Sequence, residues 1–348
     1  MGRISVSSVC TFVLRPKELG PIELRSFAAV LVLLTTIAAS GCAGKAVISA
    51  MDHDAKFLSE NASAPPSQLQ TFDGHTLTVR SHNADQAKAI LITLHGMNDY
   101  GHAFDAAGRY WSDHGLTVYS LDQRSFGALQ PGEVSIAESW PGTELLVSDV
   151  RALVVAARTQ HPDLPVFVLG HSMGGAVTLL ANASGLDDVS GIILAAPAVW
   201  GGRQMPWIYR ATLRVASAFA PGKTLTGARA KRRATDNDDV LKKMFHDPLV
   251  IKGTPLRSIR GIVSLMGEAN EATREQSGRI LFLYGERDEI IPIPALKQAS
   301  ENIAQAGAGQ TVKSYPDGWH LLFRDHQADV VWGDVLTWVL ENSEPVTK

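Results

Sequence analysis

Cysteine is almost absent: Cys10 and Cys42 are the only two in 348 residues. Two thiols exclude a disulfide framework, and the sequence offers neither a Cys/His cluster of zinc-ligand spacing nor a His-Glu-x-x-His run. No metal or other cofactor is expected. An excess of basic charge is missing too, since 32 Lys and Arg face 35 Asp and Glu for a formal charge of −3. Nucleic-acid binding rests on contacts from cations to phosphates, so no nucleic-acid partner is expected. There is no internal repeat, and no apolar run reaches the roughly 20 residues that cross a bilayer as a helix. What remains is an ordinary globular composition, 45% hydrophobic and 19% charged, long enough to bury one large core.

The first residues stand outside that core. Arg3, Arg15, Lys17 and Arg25 precede the apolar stretch Phe27–Ala39, which gives way to Ser40, Gly41 and Cys42. Positive, apolar and small-residue segments in that order read as a secretory signal over 1–41. Ala39-Ser40-Gly41-Cys42 resembles the lipobox of bacterial lipoproteins, with Ala39 where leucine is usual. The resemblance implies a lipidated Cys42, export, and an anchor on a bacterial membrane surface. An ordinary cleaved signal and an uncleaved anchor are the alternatives. Residues 42–68, which include SENASAPPSQ, read as a flexible tether.

From residue 69 to about 345, short apolar runs alternate with amphipathic segments. TFDGHTLTVRSH carries the Asp-Gly signal of a hairpin. Residues 89–96, 116–122, 166–170, 191–198 and 279–285 are almost continuously apolar, which predicts strands of a parallel sheet buried on both faces. TVKSYP, residues 311–316, is a weaker strand signal. Helical periodicity covers 142–162, 295–307 and 328–342. Such alternation predicts an α/β fold, with ligands at the carboxyl ends of the strands.

Ser172 lies in VFVLGHSMGGAVTLL, where an apolar strand turns into a helical pattern. At a sharp turn of that kind a serine side chain stands exposed, and glycines at 170, 174 and 175 relieve crowding. The helix start also favours negative charge. Alternatively the glycines only let a helix pack closely, with Ser172 as its cap; the strand–turn–helix setting favours the first reading. A serine hydroxyl needs a base, and the base needs an acid to orient it. Of eleven histidines, His320 follows the last candidate strand and lies on a loop at the same sheet end. His171 and His95 read as structural. Asp288, three residues beyond Gly285, is the candidate acid, with Glu286 and Glu289 as fallbacks.

The segments LITLHGMNDYGHAF, LDQRSFGALQ, VFVLGHSMGGAVTLL, LAAPA, HDPL, LFLYGERDEIIP and DGWHLLFRD occur in this order. Together they resemble the monoacylglycerol lipase and lysophospholipase branch of the α/β-hydrolases, from about Gln70 to Asn342. The resemblance implies an α/β-hydrolase fold with a mainly helical cap at about 199–277. It also implies an oxyanion hole made by the backbone amides of Met97 and Met173, and an acyl-enzyme route for a small lipid ester. One departure is Ser125-Phe126, where the family usually has glycine-rich chain. Within the cap, Trp200, Met205, Trp207, Ile208 and Tyr209 form an apolar cluster. Trp200, Trp207 and Tyr209 are the substrate-binding candidates, packing of cap onto core being the other reading. Lys231, Arg232 and Arg233 read as a solvated face, with anionic head groups as the alternative contact. Two other functions stay open: a non-lipid esterase or proline-iminopeptidase-like peptidase, and a non-catalytic surface lipoprotein.

Overall fold

A computed structural model describes residues 54–59, 67–130, 132–186, 188–226 and 232–343. The expected signal segment, Cys42 and Lys231 lie outside the described residues.

Among the described residues the core is a nine-stranded sheet in the order β1-β2-β3-β5-β4-β6-β7-β10-β11. The strands are β1 Lys56–Leu58, β2 Gln68–Gln70, β3 Thr76–His82, β4 Ala89–Leu94, β5 Leu116–Leu121, β6 Val166–His171, β7 Gly191–Ala195, β10 Arg279–Gly285 and β11 Gly309–Tyr315. From β5 to β11 neighbours run parallel, whereas β1, β2 and β3 are antiparallel, and β3 is antiparallel to β5. The Asp-Gly hairpin joins β2 to β3, with Gly74 in left-handed backbone at φ 76°.

The continuous apolar runs follow from two covered faces. Ile90, Ile92, Val166, Val168, Ile192, Leu194, Ile280 and Phe282 point to one core, and Leu91, Phe167, Leu169, Ile193, Leu281 and Leu283 to the other. Apart from Arg279 at the start of β10, no residue of β4, β5, β6, β7 or β10 is exposed or half-exposed, so no polar alternation is written into them. The first face is covered by α2 (Thr143–Gln160), α3 (Met173–Ala183), α6 (Leu256–Ala272) and α7 (Ile293–Gln305); the second by α1 (Asp105–Asp113) and α8 (Ala328–Glu341). On α2 the buried Leu146, Val150, Leu153 and Ala157 recur at helix spacing. β11 is an edge strand, largely exposed, which explains its weak signal in the sequence.

Two boundaries differ from expectation. β1 lies inside the stretch read as tether: Ala55 is buried and the Phe57 ring packs 4.6 Å from that of Tyr119. Two apolar side chains with a core partner override a polar, linker-like surrounding. The second difference is α6, which falls inside the expected cap at 199–277 but packs against α3 and buries Leu256, Ile262, Leu265, Met266 and Ala269. The part that stands away from the sheet ends before it. That part holds α4 (Trp207–Phe219), the two-stranded pair β8 (Thr224–Thr226) and β9 (Gly253–Pro255), and α5 (Asp238–His246).

Candidate active site

The carboxyl ends of β4, β6, β7, β10 and β11 bring the predicted residues to one rim. Between β6 and α3 the chain reverses at Ser172, whose φ of 52° and ψ of −113° lie outside the conformations that side chains favour. Neighbouring strands hold it there: Ser172 N donates to Ala195 O at 2.9 Å and Ala198 N to Ser172 O at 2.9 Å. A Cβ at Gly170 would collide with the Gly174 carbonyl, and one at Gly174 with that of Leu94. Both glycines are therefore demanded by close approach of backbone to backbone.

Asp288 follows β10 in a tight turn. Its Oδ1 accepts from the amides of Ile290 at 2.7 Å and Ile291 at 2.9 Å, which fixes the carboxyl and leaves Oδ2 facing His320. His320 lies on the loop between β11 and α8. Because a carboxylate only accepts, His320 Nδ1 donates to Asp288 Oδ2 at 2.7 Å. The Nε2 lone pair is then free to accept the Ser172 hydroxyl at 3.0 Å. Ser172, Asp288 and His320, far apart in sequence, thus form one hydrogen-bonded chain, and all three are buried. Glu286 and Glu289 take other partners: Glu286 accepts from the Ser314 hydroxyl at 3.0 Å and Glu289 from the Arg233 amide at 2.7 Å.

The loop after β4 passes directly over the serine. Gly96 would place a Cβ 3.3 Å from Ser172 Cβ, and Gly174 N donates to His95 O at 3.1 Å. Met97 follows on this loop. Met173 opens α3, where first-turn amides have no acceptor within the helix. His95 is fully buried, and that burial holds its imidazole below the usual range. Its Nδ1 donates to Gly96 O at 2.7 Å, and its Nε2 accepts from Gln123 N at 3.0 Å. Gln123 returns a second bond, from Nε2 to His95 O at 2.7 Å. The Phe126 ring meets the imidazole edge-on at 5.4 Å. Ser125, standing where glycine is usual, takes the left-handed φ of 75° that a glycine would supply. A serine at this φ carries local strain.

Arg124 underpins this loop by donating two bonds to Asp149 on α2 and two to Asp73 on the β2–β3 hairpin, at 2.7–3.1 Å. Sequence reasoning missed Gln123 and Arg124, although both lie within LDQRSFGALQ, a segment that pointed to the family. His171 sits behind the elbow and donates from Nε2 to His320 O at 2.9 Å. Burial, reinforced by the adjacent His320, pushes its pKa down to about 3.

The cap candidates fare differently. Trp200 is half-buried against the core and lines a cavity of about 720 Å³ with Arg203, Gln204 and Asn270. Trp207 and Tyr209 stand 72% and 59% exposed on α4, outside the contacts that define the rim. The expected apolar cluster does not close, because α4 buries only Ser217. Arg232 and Arg233 are not simply solvated: both bond to Glu289, beside Asp288. No cluster of three or more His, Cys, Asp or Glu able to hold a metal occurs among the described residues.

The profile of the family described as "Serine aminopeptidase, S33" matches residues 85–327. Among relatives, the monoacylglycerol lipase of Mycolicibacterium smegmatis is 25% identical over 256 residues, 73% of this chain and 89% of that protein. Among solved structures, the monoacylglycerol lipase of Paleococcus ferrophilus superposes with a TM-score of 0.64 at 18% identity, covering 77% of this chain and 99% of that one. A soluble variant of the Saccharomyces cerevisiae monoglyceride lipase gives 0.66 at 18% identity, covering 83% and 99%. These superpositions establish a common α/β-hydrolase fold. With the profile spanning most of the sequence and every strand from β4 to β11, the chain belongs to the serine aminopeptidase S33 family.

Proposed function

We propose that this chain hydrolyses carboxylic esters of lipids, monoacylglycerol or lysophospholipid, through an acyl-enzyme on Ser172. The observation that carries the reading is the hydrogen-bonded sequence from Ser172 Oγ through His320 to Asp288. His320 Nε2 takes the hydroxyl proton as Oγ attacks the ester carbonyl, and Asp288 holds the ring and stabilises its charged form. The amides of Met97 and Met173 receive the developing oxyanion. Collapse expels the alcohol, protonated by His320, and leaves an acyl ester on Ser172. Water activated by the same imidazole then releases the fatty acid and restores the serine.

Two further observations support a lipid substrate. Monoacylglycerol lipase or monoglyceride lipase is the name carried by the relative and by both solved structures above. On α4, Trp207, Ile208, Tyr209, Val215 and Phe219 are exposed, and residues 207–223 contain Arg210, Arg214 and Lys223 but no acidic side chain. A helix of this composition suits a lipid interface. Anchoring through Cys42 at a bacterial membrane surface would bring enzyme and substrate together; this part of the proposal rests on residues 1–42 of the sequence alone.

A panel of acyl esters of graded chain length, with a glycerol or lysophospholipid head group, set against a prolyl amide tests the substrate. Fatty-acid release from the esters and an inert amide are expected. Preferred cleavage of the amide would overturn the lipid reading in favour of a peptidase, and no turnover of either would favour a non-catalytic protein.

A further inference from the structure

The backbone around His320 is held on three sides by groups outside the hydrogen-bonded triad. The Trp319 amide donates to Asp325 Oδ2 at 2.7 Å, and the Leu321 amide donates to the Ala234 carbonyl at 2.9 Å. His171 takes the carbonyl of His320 itself. Ala234 belongs to residues 232–237, which lie between β8 and α5 in the segment inserted after β7. Beside it Thr235 is fully buried, with its hydroxyl facing the Asp325 carboxyl.

This strap is tied to the catalytic rim at several further points. His326 N donates to Asp236 Oδ1 at 3.0 Å, and Asn237 Nδ2 to Arg324 O at 3.3 Å. Arg233 N donates to Glu289 Oε2, next to Asp288, while its guanidinium lies 5.8 Å from the Trp319 ring, next to His320. Asp325 is only 3% exposed and has no ion-pair partner among the described residues. Burial pushes its carboxyl upward, opposed by the Thr235 hydroxyl and the Trp319 amide. A buried carboxyl without a cation is costly unless its hydrogen bonds serve a purpose. Oδ2 takes the amide of the residue before His320, while Oδ1 makes no hydrogen bond among the described residues, with the Thr235 hydroxyl of the strap near the carboxyl.

We propose that Asp325, together with Ala234 and Thr235 of the strap, positions His320, so that the inserted segment sets the alignment of the base without touching substrate. The proposal rests on the reading of His320 as the base. Alignment matters because a misplacement of about 1 Å at a reacting group costs on the order of 100-fold in rate. The clamp acts through the acceptor atom of residue 325, so an asparagine, whose side-chain oxygen accepts the same amide, should replace it.

In the full chain, Asp325→Ala is expected to lower kcat about 100-fold with KM changed less than about threefold, and Thr235→Val to lower kcat about tenfold. Asp325→Asn is expected to restore most of the rate. The proton on His320 Nδ1, followed by NMR, should broaden in Asp325→Ala and persist in Asp325→Asn. A folded Asp325→Ala enzyme with wild-type kcat and an unchanged Nδ1 proton would overturn the proposal, as would an asparagine variant as impaired as the alanine. If Asp325→Ala does not fold, wild-type kcat in Thr235→Val overturns it instead. A wild-type protein that turns over no ester overturns the assignment of the base, while the Nδ1 proton still reports on the clamp.

Discussion

His171 Nε2 donates to the carbonyl of His320 at 2.9 Å, so the residue that precedes the elbow serine also holds the residue that faces it. That bond by itself favours the protonated ring, but burial and then His320 outweigh it and push His171 down to about 3 from 6.5, so the imidazole is neutral. Between these two pH values the unfolded chain binds a proton that the folded chain refuses. Stability therefore rises with pH across that window and is lost as pH falls through it, by at most about 1.4 kcal/mol per pH unit for this one group. Urea melts from pH 4 to 7 should show this acid limb, and His171→Gln should make it shallower. An unchanged slope in the variant would count against a buried neutral His171.

Ser172 holds a left-handed φ of 52° that serves the site rather than the fold. Replacement by glycine removes that strain, so Ser172→Gly should gain about 1 kcal/mol of stability, roughly 2 °C in Tm, while abolishing ester hydrolysis. Ser172→Ala keeps the backbone strained and should lose activity without that gain. Equal melting temperatures for the two variants would contradict the account of the turn.

Arg124 lies between two carboxylates, one of which, Asp149, is buried. Arg124→Met strands that carboxylate in the core and should destabilise the protein by about 3–5 kcal/mol in denaturant melts. A loss below about 1 kcal/mol would show that water reaches Asp149 and screens it.

The exposed face of α4 gives a prediction about lipid surfaces. Trp207 and Phe219 are 72% and 88% exposed, and an apolar side chain moved fully from water contributes about 1.5–3 kcal/mol. The double variant Trp207→Ser, Phe219→Ser should bind lipid vesicles on the order of tenfold or more weakly. Its turnover of a soluble short-chain ester should stay near wild type. Unaltered vesicle binding would remove α4 from the interface.

Much of the sheet was legible because a strand buried on both faces carries one continuous apolar run, as in β4, β6 and β10. Ser172 and Asp288 stood out because each follows such a strand, whereas His320 follows the exposed edge strand β11; the parallel topology returns all three strand ends to one rim. Elements supported by tertiary partners were harder to see. β1 needs Tyr119 to make sense of Phe57, and α1 has few apolar residues until Trp111 finds its place against the second face. Ser125 is another case: it departs from the expected glycine-rich pattern, and its left-handed φ could not be read from its residue type. Trp207 and Tyr209 read as part of an apolar cluster, and composition alone does not tell whether such side chains meet a core or a surface outside the molecule; both are exposed.

The central claim is that Ser172 is made nucleophilic by His320, and it is tested most directly by the rate and location of fluorophosphonate labelling, read by mass spectrometry of the modified peptide. A single adduct on Ser172 is predicted in the wild type, absent in Ser172→Ala and slowed on the order of 10³–10⁴-fold in His320→Ala. A folded wild-type protein that stays unlabelled, or a His320→Ala variant labelled as fast as the wild type, would contradict it.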